Sequence, residues 1–308
     1  MRLSHGRAAA LMVLVTFLWS IAGVVTRHLE GARSFEVTFW RSAFCVLFLG
    51  AMIAWQRGGL SVLWRDLTAG GWHEKWPLYA SGLCWTFMFT NFMVAMMLTS
   101  VAMVLITLAM APLITALFSR VFLRHPLPAR TWGAIAVAGA GIAWMFGQQA
   151  LSGGTSLTGA LVALAVPFAG ASNWTLIQWL HRRHAQDPSV QEPDMLPAVL
   201  IGAIVSSLLT LPAALPFQAN GHDLALLGLL GLMQLAVPCL LVIQVVRVLP
   251  AAEVSLIGLL EVIFGVLLAW VGAGEAPGPT ALQGGALVIG ALLVNEALAL
   301  RQRSAAPA

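Results

Sequence analysis

The sequence predicts an all-α integral membrane protein, in which ten transmembrane helices form two inverted five-helix repeats around a central cavity. Three observations predict this class: an apolar composition, ten apolar stretches of membrane-spanning length, and a resemblance of the chain to itself at an offset of about 150 residues. Of the 308 residues, 59% are hydrophobic and 9% are charged, whereas a soluble domain carries about 25% charged residues. A chain this apolar is expected in a bilayer.

Each of the ten apolar stretches is long enough to cross the hydrocarbon core, which takes about 20 helical residues. They lie at about 8–26, 36–55, 76–98, 101–119, 132–148, 157–180, 196–215, 223–246, 251–271 and 280–300. The connections from Leu98 to Ser100 and from Val248 to Pro250 are very short, and we expect tight antiparallel hairpins there. The segment LSVLWRDL, between spans two and three, is expected on the membrane surface.

The basic residues predict the orientation, because connections rich in Lys and Arg stay in the cytoplasm. With the N-terminus inside, only Arg27 and Arg33 fall in outer connections, and Arg41 falls within span two. All the other Lys and Arg residues fall in inner connections or termini. We therefore expect a multi-pass protein of the cell inner membrane with both termini in the cytoplasm. This topology explains the formal charge of +4, and no nucleic-acid partner is expected.

The two halves of the chain, 1–149 and 150–308, match each other in the spacing of spans and connections. The segment ALMVLVTFLW aligns with ALVALAVPFA, and VAMVLITLAMAPLITALFSRVFLRH aligns with AAEVSLIGLLEVIFGVLLAWVGAGE. Because each half has five spans, the second half is upside down relative to the first. Inverted repeats of this kind are typical of transporters, in which the substrate binds near the midplane between the repeats.

Several segments, in this order, resemble the drug/metabolite transporter superfamily, specifically its EamA-type ten-helix exporters. They are FLWSIAGVVTRHL in span one, FWRSAF in span two, LAMAPLITALFSRVFL in span four, and LLEVIFGVLLAWVGAGE followed by LQGGALVIGALLV in spans nine and ten. Two positions depart from the family pattern: Val262 follows Glu261 where proline is frequent, and His125 stands where Glu is frequent. The second half keeps its loop acid as Glu275.

The resemblance implies a secondary transporter that exports small polar or amphipathic metabolites, such as amino acids, across a bacterial inner membrane by alternating access. It also implies that spans one to four and six to nine surround the cavity, with spans five and ten behind it. An intramembrane enzyme or a passive channel of unknown substrate is the alternative.

Glu261 is an acid inside the otherwise apolar span nine. A lone ionised carboxylate in hydrocarbon costs several kcal/mol unless a partner satisfies it. Since the residues of its own helix one turn on either side are apolar, we expect Glu261 to face the cavity. There it would bind a substrate amine or a coupling proton, and a structural carboxyl bonded to neighbouring helices is the alternative.

Arg41 is a base inside span two. Its guanidinium suits a substrate carboxylate, and the alternative is a side chain that reaches the outer interface toward Glu36. Six other side chains deep within spans are candidates for lining the cavity, although contact between helices explains each of them as well. These candidates are Trp19, Trp85, Asn91, Asn173, Trp174 and Gln234.

Prolines and small residues predict further features of the spans. The spans are expected to be interrupted at Pro112, Pro167 and Pro238. Ala138 and Gly139 in span five, and Gly290 in span ten, suit close contact between helices.

The sequence gives no sign of enzymatic chemistry. It has no motif of the G-x-S-x-G, H-E-x-x-H, G-x-x-x-x-G-K-[ST] or G-x-G-x-x-G type. The three cysteines lie in apolar stretches without metal-ligand spacing, so neither a metal nor a cofactor is expected. The expected partners are a small-molecule substrate and the lipid bilayer.

Overall fold

The structure, a computed structural model, describes residues 4–68, 71–124, 128–151, 156–186, 194–245, 248–249, 254 and 257–304. Every regular element in these ranges is helical, which confirms the all-α class for this part of the chain. The elements are α1 (His5–Thr26), α2 (Ser34–Arg57), α3 (Leu60–Thr68), α4 (Trp72–Leu98), α5 (Val101–Leu108), α6 (Ala111–Phe122), α7 (Ala129–Leu151), α8 (Ser156–Gln186), α9 (Leu196–Ala214), α10 (Gly221–Leu229), a π-helix (Leu230–Ala236), α11 (Val237–Val245), α12 (Leu260–Ala273) and α13 (Pro279–Ser304).

Seven helical stretches of the described residues are long and apolar enough to cross a membrane. They are His5–Thr26, Ser34–Gln56, Lys75–Leu98, Val101–Phe122, Leu157–His184, Leu196–Ala214 and Gly221–Val242. Two shorter apolar stretches, Leu260–Ala273 and Pro279–Asn295, follow them, and α7 covers the predicted span five. The chain is a multi-pass helical membrane protein, and the total of ten crossings stays a prediction.

A reciprocal pair of buried acids joins the connection before α2 to the connection before α10. Glu36, in the first turn of α2, accepts hydrogen bonds of 2.8–3.0 Å from the backbone N–H groups of residues 218–219. In return, Asp223 in the first turn of α10 accepts bonds of 2.9 Å from the N–H groups of residues 30–32. Both acids are fully buried. We call this arrangement the Glu36–Asp223 clasp.

A second clasp, between Arg27 and Glu275, ties together three connections. Arg27, directly after α1, donates from Nε to Glu275 Oε2 at 2.5 Å and from its terminal nitrogens to the carbonyl oxygens of Met96 and Thr99 at 2.6 and 2.8 Å. Glu275 Oε1 accepts a 2.6 Å bond from the N–H of Val101. The arginine therefore satisfies carbonyls at the end of α4, and the glutamate satisfies an N–H at the start of α5.

The two clasps place eight helix ends at the same end of the bundle. They are the C-terminal ends of α1, α4, α9 and α12 and the N-terminal ends of α2, α5, α10 and α13. The chain therefore reverses direction at each of these four connections, as an alternating membrane topology requires. In the predicted orientation, this end is the periplasmic one.

Of the three prolines expected to interrupt spans, the first lies beside a break, the second follows a π-helical segment of a continuous helical stretch, and the third leaves its helix unchanged. Pro112 lies in the first turn of α6, after a turn at 109–110, where its missing N–H costs no helical hydrogen bond. Pro238 follows the π-helix, whose wider turn accommodates the clash between a proline ring and the carbonyl four residues earlier. The interruption predicted at Pro167 is wrong, because α8 runs without a break through it.

Glycines allow two close crossings between the first and second halves of the chain. A Cβ at Gly231 in the π-helix would lie 2.8 Å from the Arg41 carbonyl oxygen and 2.9 Å from the Cys45 nitrogen of α2. A Cβ at Gly202 in α9 would lie 2.4 Å from the Cβ of Trp85 in α4. Small residues let helix backbones approach this closely in membranes.

The packing of α7 against α13 also uses glycines, but not those expected. Ala138 is fully buried, as predicted, whereas a Cβ at Gly139 or Gly290 would meet nothing within 4 Å. The close approach is at Gly141 and Gly284, where a Cβ on Gly284 would lie 2.9 Å from the Gly141 carbonyl oxygen. The prediction at Gly139 and Gly290 is wrong because these residues lie on helix faces turned away from any close neighbour.

Candidate functional site

Arg41 lies about two turns into α2, and it is only 1% exposed. Its Nη1 donates to Gln234 Oε1 at 3.0 Å, and its Nη2 donates to the Phe89 carbonyl oxygen at 2.8 Å. The guanidinium carbon is 5.7 Å from the centroid of the Phe89 ring and 5.9 Å from that of the Phe92 ring. The alternative in which Arg41 reaches the outer interface toward Glu36 is therefore wrong, because the side chain is buried between α2, α4 and the π-helix.

Gln234 lies in the π-helix that precedes Pro238, and it is 5% exposed. A π-helix departs from regular α-helical spacing and is frequent at functional sites. Here it brings the Gln234 amide oxygen onto the guanidinium of Arg41. Because an amide oxygen is a neutral acceptor, this hydrogen bond leaves the positive charge of Arg41 in place.

The charge of Arg41 has no acidic partner in the described part of the chain. Arg41 is the only buried base there, and the buried acids Glu36 and Asp223 are held by backbone N–H groups instead. Its Nε has no hydrogen-bond partner among these residues. A buried cation without a counter-charge is costly. The site therefore presents an unneutralised cation and a free donor between the two halves of the chain.

A row of aromatic rings extends from Arg41 to the surface of the bundle. The Trp85 ring lies 5.3 Å from that of Phe89, and the Trp174 ring meets Trp85 edge-on at 6.2 Å. Trp174 is 38% exposed. The structure thus brings four of the predicted site residues, namely Arg41, Gln234, Trp85 and Trp174, into one continuous set of contacts through Phe89.

Asn173, next to Trp174 in α8, is fully buried. Its Oδ1 accepts a 2.5 Å hydrogen bond from the Ser81 hydroxyl, one turn before Trp85 in α4. The Asn173 Nδ2 has no partner among the described residues. An unsatisfied buried amide of this kind costs about 1–3 kcal/mol, which makes Asn173 a second polar group with a free donor near the aromatic row.

A chain of hydroxyl groups lies beside Arg41, and two of its members, Ser42 and Ser206, were missed by the sequence reasoning. Ser42 donates to Ser206 at 3.2 Å, and Thr90 bonds the same Ser206 hydroxyl at 2.9 Å. Ser42 and Ser206 are fully buried. The signal in the sequence was the serine directly after Arg41, together with the Ser206–Ser207 pair in span seven.

Three predicted site residues lie apart from these contacts. Trp19 packs on an apolar cluster that α1 forms with Val242, Val245 and Leu249. The Asn91 amide donates to the Phe87 carbonyl oxygen of its own helix at 2.8 Å. Glu261 is half-buried in the first turn of α12, which packs against α1 and α5. Its carboxyl has no hydrogen-bond partner among the described residues, and its position in the cavity stays a prediction.

A cavity of about 1110 Å³ lies elsewhere, and apolar side chains of α2, α3 and α9 line it. Two of them, Trp55 and Trp64, are 82% and 68% exposed. None of the candidate residues lines this groove, and its exposed tryptophans are typical of a membrane interface. We therefore do not assign it as the substrate site. The described residues also contain no group of three His, Cys, Asp or Glu that could hold a metal ion.

The family assignment comes from two matches along the chain. The sequence model of the EamA-like transporter family matches residues 6–147 and again residues 157–296. One solved structure, described only as a crystal structure of a protein, has a similar fold, with a TM-score of 0.62 at 20% identity over 98% of this chain and 100% of that chain. No curated protein matches the chain. The double match confirms both the resemblance and the internal repeat. The chain therefore belongs to the EamA-like transporter family and is a membrane transporter of small molecules.

Proposed function

We propose that this protein is a secondary transporter that exports small metabolites, such as amino acids or related amphipathic compounds, across the inner membrane by alternating access. The observation that carries the proposal is the separate match of the family model to each half of the chain. Transporters built from inverted repeats bind substrate between the repeats and expose the site to each side in turn by moving one repeat against the other.

Polar contacts between the two halves support a substrate site at their interface. Several buried hydrogen bonds between described residues join 6–147 to 157–296, among them Arg41–Gln234, Ser42–Ser206 and Ser81–Asn173. Polar groups within a membrane are costly and mark substrate pathways in many transporters. Their position where the halves meet is the one that alternating access requires.

The two clasps support a state that is closed at the predicted periplasmic end, and they differ in how easily they can open. Glu36 and Asp223 are fully buried, so moving each acid away from the backbone N–H groups that it bonds would leave a buried carboxylate unpaired. The side chains of Arg27 and Glu275 are 25% and 23% exposed, so water can replace their contacts at lower cost. In the proposed cycle, the Glu36–Asp223 clasp stays intact, and the Arg27–Glu275 clasp opens to release substrate.

Transport by purified full-length protein in liposomes tests the proposal. The liposomes are loaded with a defined mixture of amino acids, amines, carboxylic acids and neutral solutes, and mass spectrometry follows the contents over time. Saturable loss of particular solutes, absent from liposomes without protein, is expected of a carrier. Unsaturable loss of the whole mixture would instead indicate a passive channel, and a chemically converted product would indicate an enzyme.

A further inference from the structure

The buried charge of Arg41 carries an inference about the class of substrate. We infer that Arg41 binds the single carboxylate group of an amphipathic substrate between α2, α4 and the π-helix during the transport cycle. The inference rests on the proposed transport function and assigns to its site a monocarboxylate substrate with an apolar body.

The number of charges favours a monocarboxylate. Arg41 is the only buried base in the described part of the chain, and the Gln234 amide does not neutralise it. One carboxylate would compensate this charge. A dicarboxylate or a phosphate would bring a further negative charge into the apolar region, where a second unpaired charge is costly.

The donor geometry of Arg41 also suits a carboxylate. The Nε is buried and without a partner, and the terminal nitrogens each use one bond, to Gln234 and to the Phe89 carbonyl. A guanidinium presents five N–H donors in a planar fork, so Nε and the neighbouring terminal nitrogen can donate in parallel to the two oxygens of one carboxylate.

The surroundings of Arg41 suit an apolar body on the same substrate. The rings of Phe89 and Phe92 flank the guanidinium, and Trp85 and Trp174 continue the row toward the surface. Aromatic rings bury apolar groups well, and this row leads in one direction, from Arg41 toward the surface. A substrate held by its carboxylate at Arg41 would therefore lay its apolar part along these rings.

Binding of matched probes to the purified full-length protein tests the inference. The probes are 4-methylpentanoate, phenylacetate and indole-3-acetate, and each is compared with its primary amide, which keeps the apolar body and removes the charge. We expect the wild-type protein to bind at least one carboxylate about tenfold or more tightly than its amide, because hydrogen bonds to charged groups are among the strong ones.

The variant Gln234→Glu separates a binding role for Arg41 from a structural one. It has nearly the shape of the wild type and supplies a resident carboxylate to the guanidinium. We expect a melting temperature at least equal to that of the wild type, a loss of carboxylate binding of about tenfold or more, and unchanged amide binding. Arg41→Lys keeps the charge and removes the fork, and we expect it to weaken carboxylate binding as well.

A matched control is Gln283→Glu, on an exposed glutamine of α13 whose Oε1 accepts a bond from Trp144. This variant should bind every probe as the wild type does. The inference is overturned if the wild type shows no preference for carboxylates, which includes binding none of the probes, or if Gln234→Glu and Arg41→Lys both keep the preference. Saturable transport of amines or neutral solutes alone would overturn the carboxylate site and leave the transport function standing. Carboxylate binding without saturable flux would instead overturn the transport function and leave the carboxylate site standing.

Discussion

The carboxyl group of Glu261 has no hydrogen-bond partner among the described residues, although it lies within the apolar α12. Glutamine has nearly the same shape but can neither carry a negative charge nor release a proton. If the carboxyl takes part in transport, Glu261→Gln should fold as the wild type does. Its flux should fall about tenfold, or the pH dependence of flux should change, because the carboxylate can no longer form a charged hydrogen bond to the substrate or carry a proton. Liposome flux measured across a range of pH checks this expectation.

The control for that experiment is Glu30→Gln, which changes an exposed acid that accepts a bond from Asn220. Its flux should match that of the wild type. A Glu261→Gln protein with wild-type flux and an unaltered pH profile would leave Glu261 a structural role only.

Individual candidate residues could be picked from the sequence, but their partners could not. Arg41, Asn173 and Gln234 stand out because polar groups are rare inside apolar spans. Arg41 and Gln234 are 193 residues apart and meet only through the packing of α2 against the π-helix. The inward direction of the Arg41 side chain was also hidden, because a helix that is apolar all round does not reveal which face is turned to its neighbours.

The Arg27–Glu275 clasp should stabilise the bundle through coupling between α1, the α4–α5 hairpin and the connection after α12. Glu275→Gln removes the ion pair and weakens the bond to the Val101 N–H, so we expect a loss of about 1–2 kcal/mol in the free energy of unfolding. Arg27→Gln should cost a similar amount. Because the two residues share one contact, the double variant should lose less than the sum of the two, by about 0.5 kcal/mol or more. Reversible unfolding of the four proteins in detergent measures this coupling, and additive losses would contradict it.

The crossing of α2 and the π-helix should tolerate no side chain at Gly231. A Cβ there would meet the Cβ of Phe44 at 2.6 Å and the backbone of α2, and overpacking of this kind costs about 1–3 kcal/mol. Gly228, one turn earlier, is a matched control, since its Cβ would be 3.8 Å from the Phe44 ring. Gly231→Ala should lower the melting temperature, whereas Gly228→Ala should keep or raise it. Equal melting temperatures for the two variants would argue against the close crossing.

The sequence predicted the existence of helices better than their interruptions and contacts. Pro112 marks a real break, Pro238 follows a π-helical segment of a continuous helical stretch, and Pro167 lies within the regular α8. Single prolines are tolerated in membrane helices when neighbouring groups satisfy the freed carbonyl, so the residue alone does not decide. Which glycines meet between α7 and α13 likewise depends on how the two helices are rotated about their axes. The apolar sequence does not reveal that rotation.

The whole chain should alternate across the membrane with both termini inside. Arg27 and Arg33 lie at the clasped end, and the other bases of the connections are predicted at the opposite end. Reporter fusions after Arg124 and after Arg303 should therefore read cytoplasmic, and a fusion at Gly153 should read periplasmic. A periplasmic C-terminus would contradict the ten-span topology and the inverted relation of the repeats.

The fold class and the repeat were predictable because both depend on the spacing of apolar stretches, which the sequence displays directly. The Glu36–Asp223 clasp was not, because both acids accept hydrogen bonds from the backbone of connections about 190 residues away. Backbone groups look the same in every sequence, so only the three-dimensional structure shows which of them an acid will meet.

Counterflow in liposomes tests alternating access most directly. One solute identified in the efflux screen is placed unlabelled at high concentration inside, and a trace of its labelled form is added outside. A carrier whose two halves alternate should accumulate label transiently above its equilibrium level, since the loaded protein returns faster than the empty one. It should also saturate as the outside concentration rises. Label that only approaches equilibrium, at a rate proportional to its concentration and independent of the solute inside, would contradict the account.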